Sequence, residues 1–133
     1  MSLSHKTIGE FIDLTNGRGT NTTSVRWLIG EDIPRIGAFR DMSNPPQFGD
    51  PDTMGSPDHV CGAKDNGGVH SNSEVLNKAA FLLVHGETFN GVTVNPLSEG
   101  IPMVADLFYE VNTNLLTSAS DYQQDLRSLV FNY

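Results

Sequence analysis

The chain has 133 residues, 16 Asp and Glu against 8 Lys and Arg, a formal net charge of -8 and one cysteine, Cys61. Its length fits a single domain over 1–133, and 38% hydrophobic with 18% charged residues is an ordinary globular composition rather than a disordered one. The acidic balance (pI near 4.7) argues against nucleic acid and anionic membrane surfaces as partners. No apolar run approaches the ~20 residues of a membrane span, and one cysteine makes no internal disulfide.

In chain order, Met1–Lys6 carries no apolar stretch of the signal-peptide kind. Ile8–Leu14 (I-G-E-F-I-D-L) places Ile8, Phe11 and Ile12 on one face of a predicted helix, and the polar run Thr15–Thr23 ends it. From Pro34 to Gly68 the chain is broken by Pro34, Pro45, Pro46, Pro51 and Pro57 and by repeated glycines, which forbids long helices or central strands. So long an irregular stretch is expected to be functional rather than disordered, with Phe39, Met42, Phe48, Met54, Val60 and Val69 as its anchors into a core.

A helix is predicted over Glu74–His85, with Ser71, Asn72 and Ser73 as N-cap candidates and Gly86 as its stop. Its wide apolar stripe of Val75, Leu76, Ala79, Ala80, Leu82 and Leu83 predicts deep burial. Pro102 marks the first turn of the next helix, whose inner face is Val104, Leu107, Phe108, Val111 and Leu115. A last helix begins after Ser120, with Tyr122, Leu126, Leu129 and Val130 inward, and runs on without a stop signal. Four helices and one long irregular Pro/Gly-rich loop predict a mainly α fold. Both ends read as truncated.

The chemistry is sparse. His5, His59, His70 and His85 form no H-E-x-x-H, there is no Cys-x-x-Cys, and neither a nucleophile elbow nor a phosphate-cradling loop occurs. What remains is Asp65-Asn66-Gly67-Gly68-Val69-His70-Ser71-Asn72-Ser73. Two glycines between Asp65 and His70 let the chain fold back so that the carboxylate accepts the imidazole N–H. That contact fixes the tautomer and suits a group that donates to a developing oxyanion.

At these residues a family resemblance emerges. The run Asp65–Leu83 (D-N-G-G-V-H-S-N-S-E-V-L-N-K-A-A-F-L-L) resembles the active-site histidine segment of the thermolysin-like zinc metallopeptidases. Trp27–Ile33 (W-L-I-G-E-D-I) is similar to the family's W-x-I-G-E-D, Phe39–Pro45 (F-R-D-M-S-N-P) to its L-R-S-M-S-D-P, and Gly49–Asp52 to its G-D-P-D. Gly91–Val94 and the helix through Phe108 and Tyr109 also fit, so the likeness covers roughly residues 8 to 130.

The resemblance implies the C-terminal, helical half of a catalytic domain, whose zinc lies in a cleft against a β-rich N-terminal half. It implies hydrolysis of peptide bonds by metal-activated water. His70 then matches the histidine that donates to the tetrahedral intermediate, and Asp65 the carboxylate that orients it. Arg40 matches the arginine on the substrate carbonyl past the scissile bond, a role suited to its fixed donor fork. Phe39, Ile29 and Ile33 fall where the family lines its apolar specificity pocket, with Phe39 in place of the usual leucine.

The family's third zinc ligand, a glutamate, would fall at Ser2, so the zinc ligands are expected outside this chain and the segment is expected to be inactive alone. For calcium, Glu31 and Asp13 match ligand positions, but Arg26 and Leu28 stand where further carboxylates belong, which predicts an absent or weakened site. Asp50, Asp52 and Asp58 read as a solvated acidic loop, Cys61 as a small buried hydrophobe, and His59 and His85 as surface residues.

The resemblance further implies a secreted enzyme whose partners are a peptide or protein substrate and the missing N-terminal half. The apolar face left by that half predicts self-association. Two other readings stand beside it: a non-catalytic homologue that binds peptides, and a calcium-stabilised interaction module.

Overall fold

The computed structural model describes residue 9 and residues 22–115. The helix expected over Ile8–Leu14 (apart from Gly9), the calcium candidate Asp13, and the helix after Ser120 lie outside the described residues.

Turns over 22–27 lead into a short antiparallel pair, β1 (Leu28–Ile29) and β2 (Arg40–Asp41), with Leu28 opposite Asp41 and Ile29 opposite Arg40. After β2 the chain reverses because Asp41 Oδ1 accepts from the Ser43 and Asn44 backbone N–H groups and the Ser43 hydroxyl. A 3₁₀ turn, Pro45–Phe48, follows, and its buried Pro45 needs no N–H partner there. An irregular stretch then runs to a single turn, Asp65–Gly68.

Two helices carry the core. Helix α1 spans Glu74–His85 and α2 spans Ile101–Glu110, with Pro102 in its first turn. Between them lies a hairpin, β3 (Glu87–Phe89) and β4 (Val92–Val94). Its turn residues Asn90 and Gly91 both have positive φ, the combination that matches the twist of a two-residue hairpin. Helix α2 passes into a wider π-type turn, Val111–Leu115. Ile101, Val104, Ala105, Phe108 and Val111 are buried at helical spacing, and Ile101, Val104 and Phe108 meet Ala80 of α1, Met42 and Trp27 in one cluster. No helix among the described residues is long and apolar enough to cross a membrane.

The helical architecture agrees with the sequence reading, but several details do not. Of the expected loop anchors only Met42 is buried; Phe39, Phe48, Met54 and Val69 are exposed and Val60 is half-buried. The segment is held instead by buried Pro45 and Pro51 and by polar clips. One of these is Asn72, whose amide accepts from Val60 N–H and donates to Val60 O. On α1 the most buried residues include the polar Glu74, Asn77 and Lys78, whereas Val75, Leu76 and Leu83 are only half-buried. The stripe is therefore a partial core face, and the helix also buries charges. Ser73 is helical and makes no cap bond; its hydroxyl donates to His70 O.

Candidate active-site wall

The site is built where the left-handed turn meets α1. Asp65, Asn66, Gly67 and Gly68 all have positive φ. For Asp and Asn that conformation is tolerated because their short side chains bond locally, and for the glycines no β-carbon objects. A β-carbon at Gly68 would come within 2.2 Å of Asn72 Nδ2, so the turn also requires the empty space.

This reversal puts the Asp65 carboxylate beneath the chain that follows. Its Oδ2 accepts from His70 N–H at 2.9 Å and from Ser71 N–H at 3.0 Å, while Oδ1 lies 2.6 Å from His70 Nδ1. An ionised carboxylate only accepts, so the proton sits on Nδ1. The bond to the imidazole, with the Ser71 amide next, draws the Asp65 carboxyl down from 3.8 to about 2. The ring itself remains 59% exposed and turns its Nε2 away from the aspartate.

Arg40 approaches the same helix end from β2. Its Nη1 donates to Glu74 Oε1 at 2.9 Å and lies 3.5 Å from Ser73 Oγ, and Nε is 3.9 Å from an Asp50 oxygen. Because the Ser73 hydroxyl bonds His70 O at 2.6 Å, Arg40 and the His70 segment meet on one turn of chain. His70 and Asp65 are thus in direct contact, and Arg40 is linked to them through Ser73. Asp50 is buried beside Arg40, which corrects its reading as part of a solvated acidic loop.

The apolar candidates divide. Ile29 packs against the core, whereas Ile33 is 41% and Phe39 45% exposed. The Phe39 ring rests on Gly30, where a β-carbon would come within 2.4 Å of Cδ1 and Cε1. Glu31 is half-buried on the turn after β1. Among the described residues no three of His, Cys, Asp or Glu cluster closely enough to hold a metal ion, so these residues do not fit a zinc site.

One expectation about a single residue is corrected. Cys61 is exposed, its sulfur 3.7 Å from His59 Nδ1. His85 is exposed, as expected, while its Nε2 accepts from Trp27 Nε1 at 2.8 Å and its ring packs against Trp27 and Phe81. Desolvation, with the Arg26 charge second, lowers the His85 pKa. Glu74 stands four residues after His70, a ligand-like helical spacing of little weight in the sequence, and it is engaged by Arg40 instead, a long-range partner that local spacing did not reveal.

The comparisons with known proteins decide the family. The family model described as "Thermolysin metallopeptidase, alpha-helical domain" matches residues 7–131. The chain belongs to the thermolysin metallopeptidases. It is 40% identical over 121 residues to a zinc metalloproteinase of Renibacterium salmoninarum, covering 84% of this chain and 21% of that protein. A bacillolysin of Bacillus cereus is 41% identical over 102 residues, 74% of this chain and 17% of the relative. A thermolysin of Alicyclobacillus acidocaldarius subsp. acidocaldarius is 41% identical over 102 residues, 74% and 18% respectively. This metallopeptidase helical domain thus spans about a fifth of the length of the curated relatives it matches.

Proposed function

We propose that this chain forms the helical wall of the active-site cleft of a zinc metalloendopeptidase. His70 donates a hydrogen bond to the oxyanion of the tetrahedral intermediate, Asp65 orients His70, and Arg40 holds the substrate carbonyl beyond the scissile bond. The observation that carries this reading is the Asp65 clamp. It takes up Nδ1 and two backbone amides together, while the His70 side chain stays 59% exposed and Nε2 is left out of the clamp.

With Nδ1–H committed to Asp65, Nε2 carries a proton only in the imidazolium form. Oxyanion donation from Nε2 therefore uses the ring protonated on both nitrogens. Arg40 contributes by position, since a fork held by carboxylates loses little freedom when a carbonyl arrives. Phe39 and Ile33, open to solvent, are the apolar surface offered to a substrate side chain. Zinc is held by residues outside those described, on a β-rich N-terminal half that also covers this face; without it the segment is inactive and self-associates. As an exported peptidase its substrates are extracellular peptides and proteins.

The test is His70→Ala in the zinc-loaded enzyme that carries this chain. Loss of one oxyanion donor lowers kcat by ~10²–10³, with zinc content unchanged. An unaltered kcat would remove His70 from the chemistry and leave a peptide-binding homologue as the better account.

A further inference from the structure

We infer that Glu74 positions Arg40 for substrate: a buried carboxylate from the first turn of α1 fixes one side of the guanidinium so that another donor faces a peptide carbonyl. The inference deepens the proposed role of Arg40 and rests on it.

Glu74 is wholly buried, and its Oε1 receives Arg40 Nη1 at 2.9 Å. The same oxygen accepts from the Asn77 side-chain amide at 2.6 Å, and Asn77 is itself wholly buried one turn along the helix. Asp50, with its side chain 12% exposed, lies on the Nε side at 3.9 Å. Ser73 adds a weak contact at 3.5 Å. Nη1 is therefore hydrogen-bonded and Nε lies within ion-pair reach of Asp50, and among the described residues no hydrogen bond to Nη2 is seen.

A buried ion pair is a poor stabiliser, because desolvation of both charges offsets most of their attraction. Its strength is direction. A guanidinium between two carboxylates on separate segments has one orientation, and its long side chain no longer wanders among rotamers. The Glu74 carboxylate is also favoured where it stands, at the amino end of α1. Arg40 is still 16% exposed along its side chain, so the fixed group is not sealed off.

Two measurements test this. In the zinc-loaded wild-type enzyme that carries this chain, labelled at arginine nitrogen, rotation about the Arg40 Nε–Cζ bond should be slow enough to resolve two Nη signals, unlike those of exposed Arg35. E74Q should speed that rotation about fivefold to tenfold, as a charge-assisted bond becomes a neutral one. Averaged Nη signals in the wild type overturn the inference, and this arm needs no variant to fold.

In the zinc-loaded enzyme, E74Q should raise KM for a peptide amide about tenfold with kcat within about twofold, a split that general destabilisation would not give. The double variant with Arg40→Ala should be no worse than Arg40→Ala alone, because Glu74 acts through Arg40. If Arg40→Ala raises KM and E74Q changes nothing, the inference about Glu74 fails by itself. If Arg40→Ala changes nothing either, the substrate role of Arg40 fails instead.

Discussion

The regions at the two ends of α1 each hold a histidine in a short hydrogen bond, and the two are used in opposite ways. His70, just ahead of the amino end, gives Nδ1–H to a carboxylate and keeps its other nitrogen outside. His85, at the carboxyl end, has its Nε2 occupied by the indole N–H of Trp27, which is only 6% exposed and part of the core. At His85, partial burial and then the Arg26 charge favour the neutral ring. One end of the helix therefore holds its histidine on a local carboxylate and the other packs its histidine on the core, although both are single residues beside a turn.

The sharpest way to break that contrast is at Trp27. Trp27→Ala removes a core aromatic and its edge contacts with Phe81 and His85. It should cost about 3–5 kcal/mol in urea unfolding, whereas His70→Ala should stay within about 0.5 kcal/mol as an exposed substitution. Comparable losses at both positions would mean that the amino end is also a packing element.

Gly68→Ala attacks the turn that supports His70. The positive φ and the 2.2 Å approach to Asn72 predict a loss of about 1–3 kcal/mol, and the Asp65–His70 bond should loosen in the His70 ring NMR signals. Unchanged signals would show that the bond does not depend on the left-handed turn.

Acidity should separate the two histidines next. The folded-state pKa of His85 is lowered, so below about pH 6.5 the unfolded chain binds the proton first and stability falls as pH drops. Trp27 fluorescence should report loss of the indole bond in the same range, and His85→Gln should flatten the dependence. For Asp65 the shift is also downward, from 3.8 to about 2. Its contribution is present above 3.8 and is lost as pH falls toward about 2, which a carboxyl-carbon titration would follow. This is the smallest effect, because the site is exposed.

Much of this was legible in the chain. The bounds of α1 followed from apolar spacing and Gly86, and α2 from Pro102 and its inner face. Asp65 and His70 could be paired in advance because the two glycines between them permit one tight reversal. The β3–β4 hairpin was not read, although Asn90-Gly91 between alternating residues is its signal; the short strands were overshadowed by the helices around them. The anchors of the long loop were misread because hydrophobicity alone was taken as a sign of burial, and exposed apolar residues are common on protein surfaces.

By itself the sequence determined the two described helices, the folded-back Asp65–His70 segment and the family, since each depends on contacts between near neighbours or on a pattern spread over the whole chain. Tertiary structure decided the charges. Arg40 reaches Glu74 across 34 positions, Trp27 reaches His85 across 58, and Lys78 meets Ser43 O and Glu87 only once the segments have assembled. Whether a polar side chain is buried and paired or left in water depends on what long-range packing brings to it, and local spacing carries no record of that.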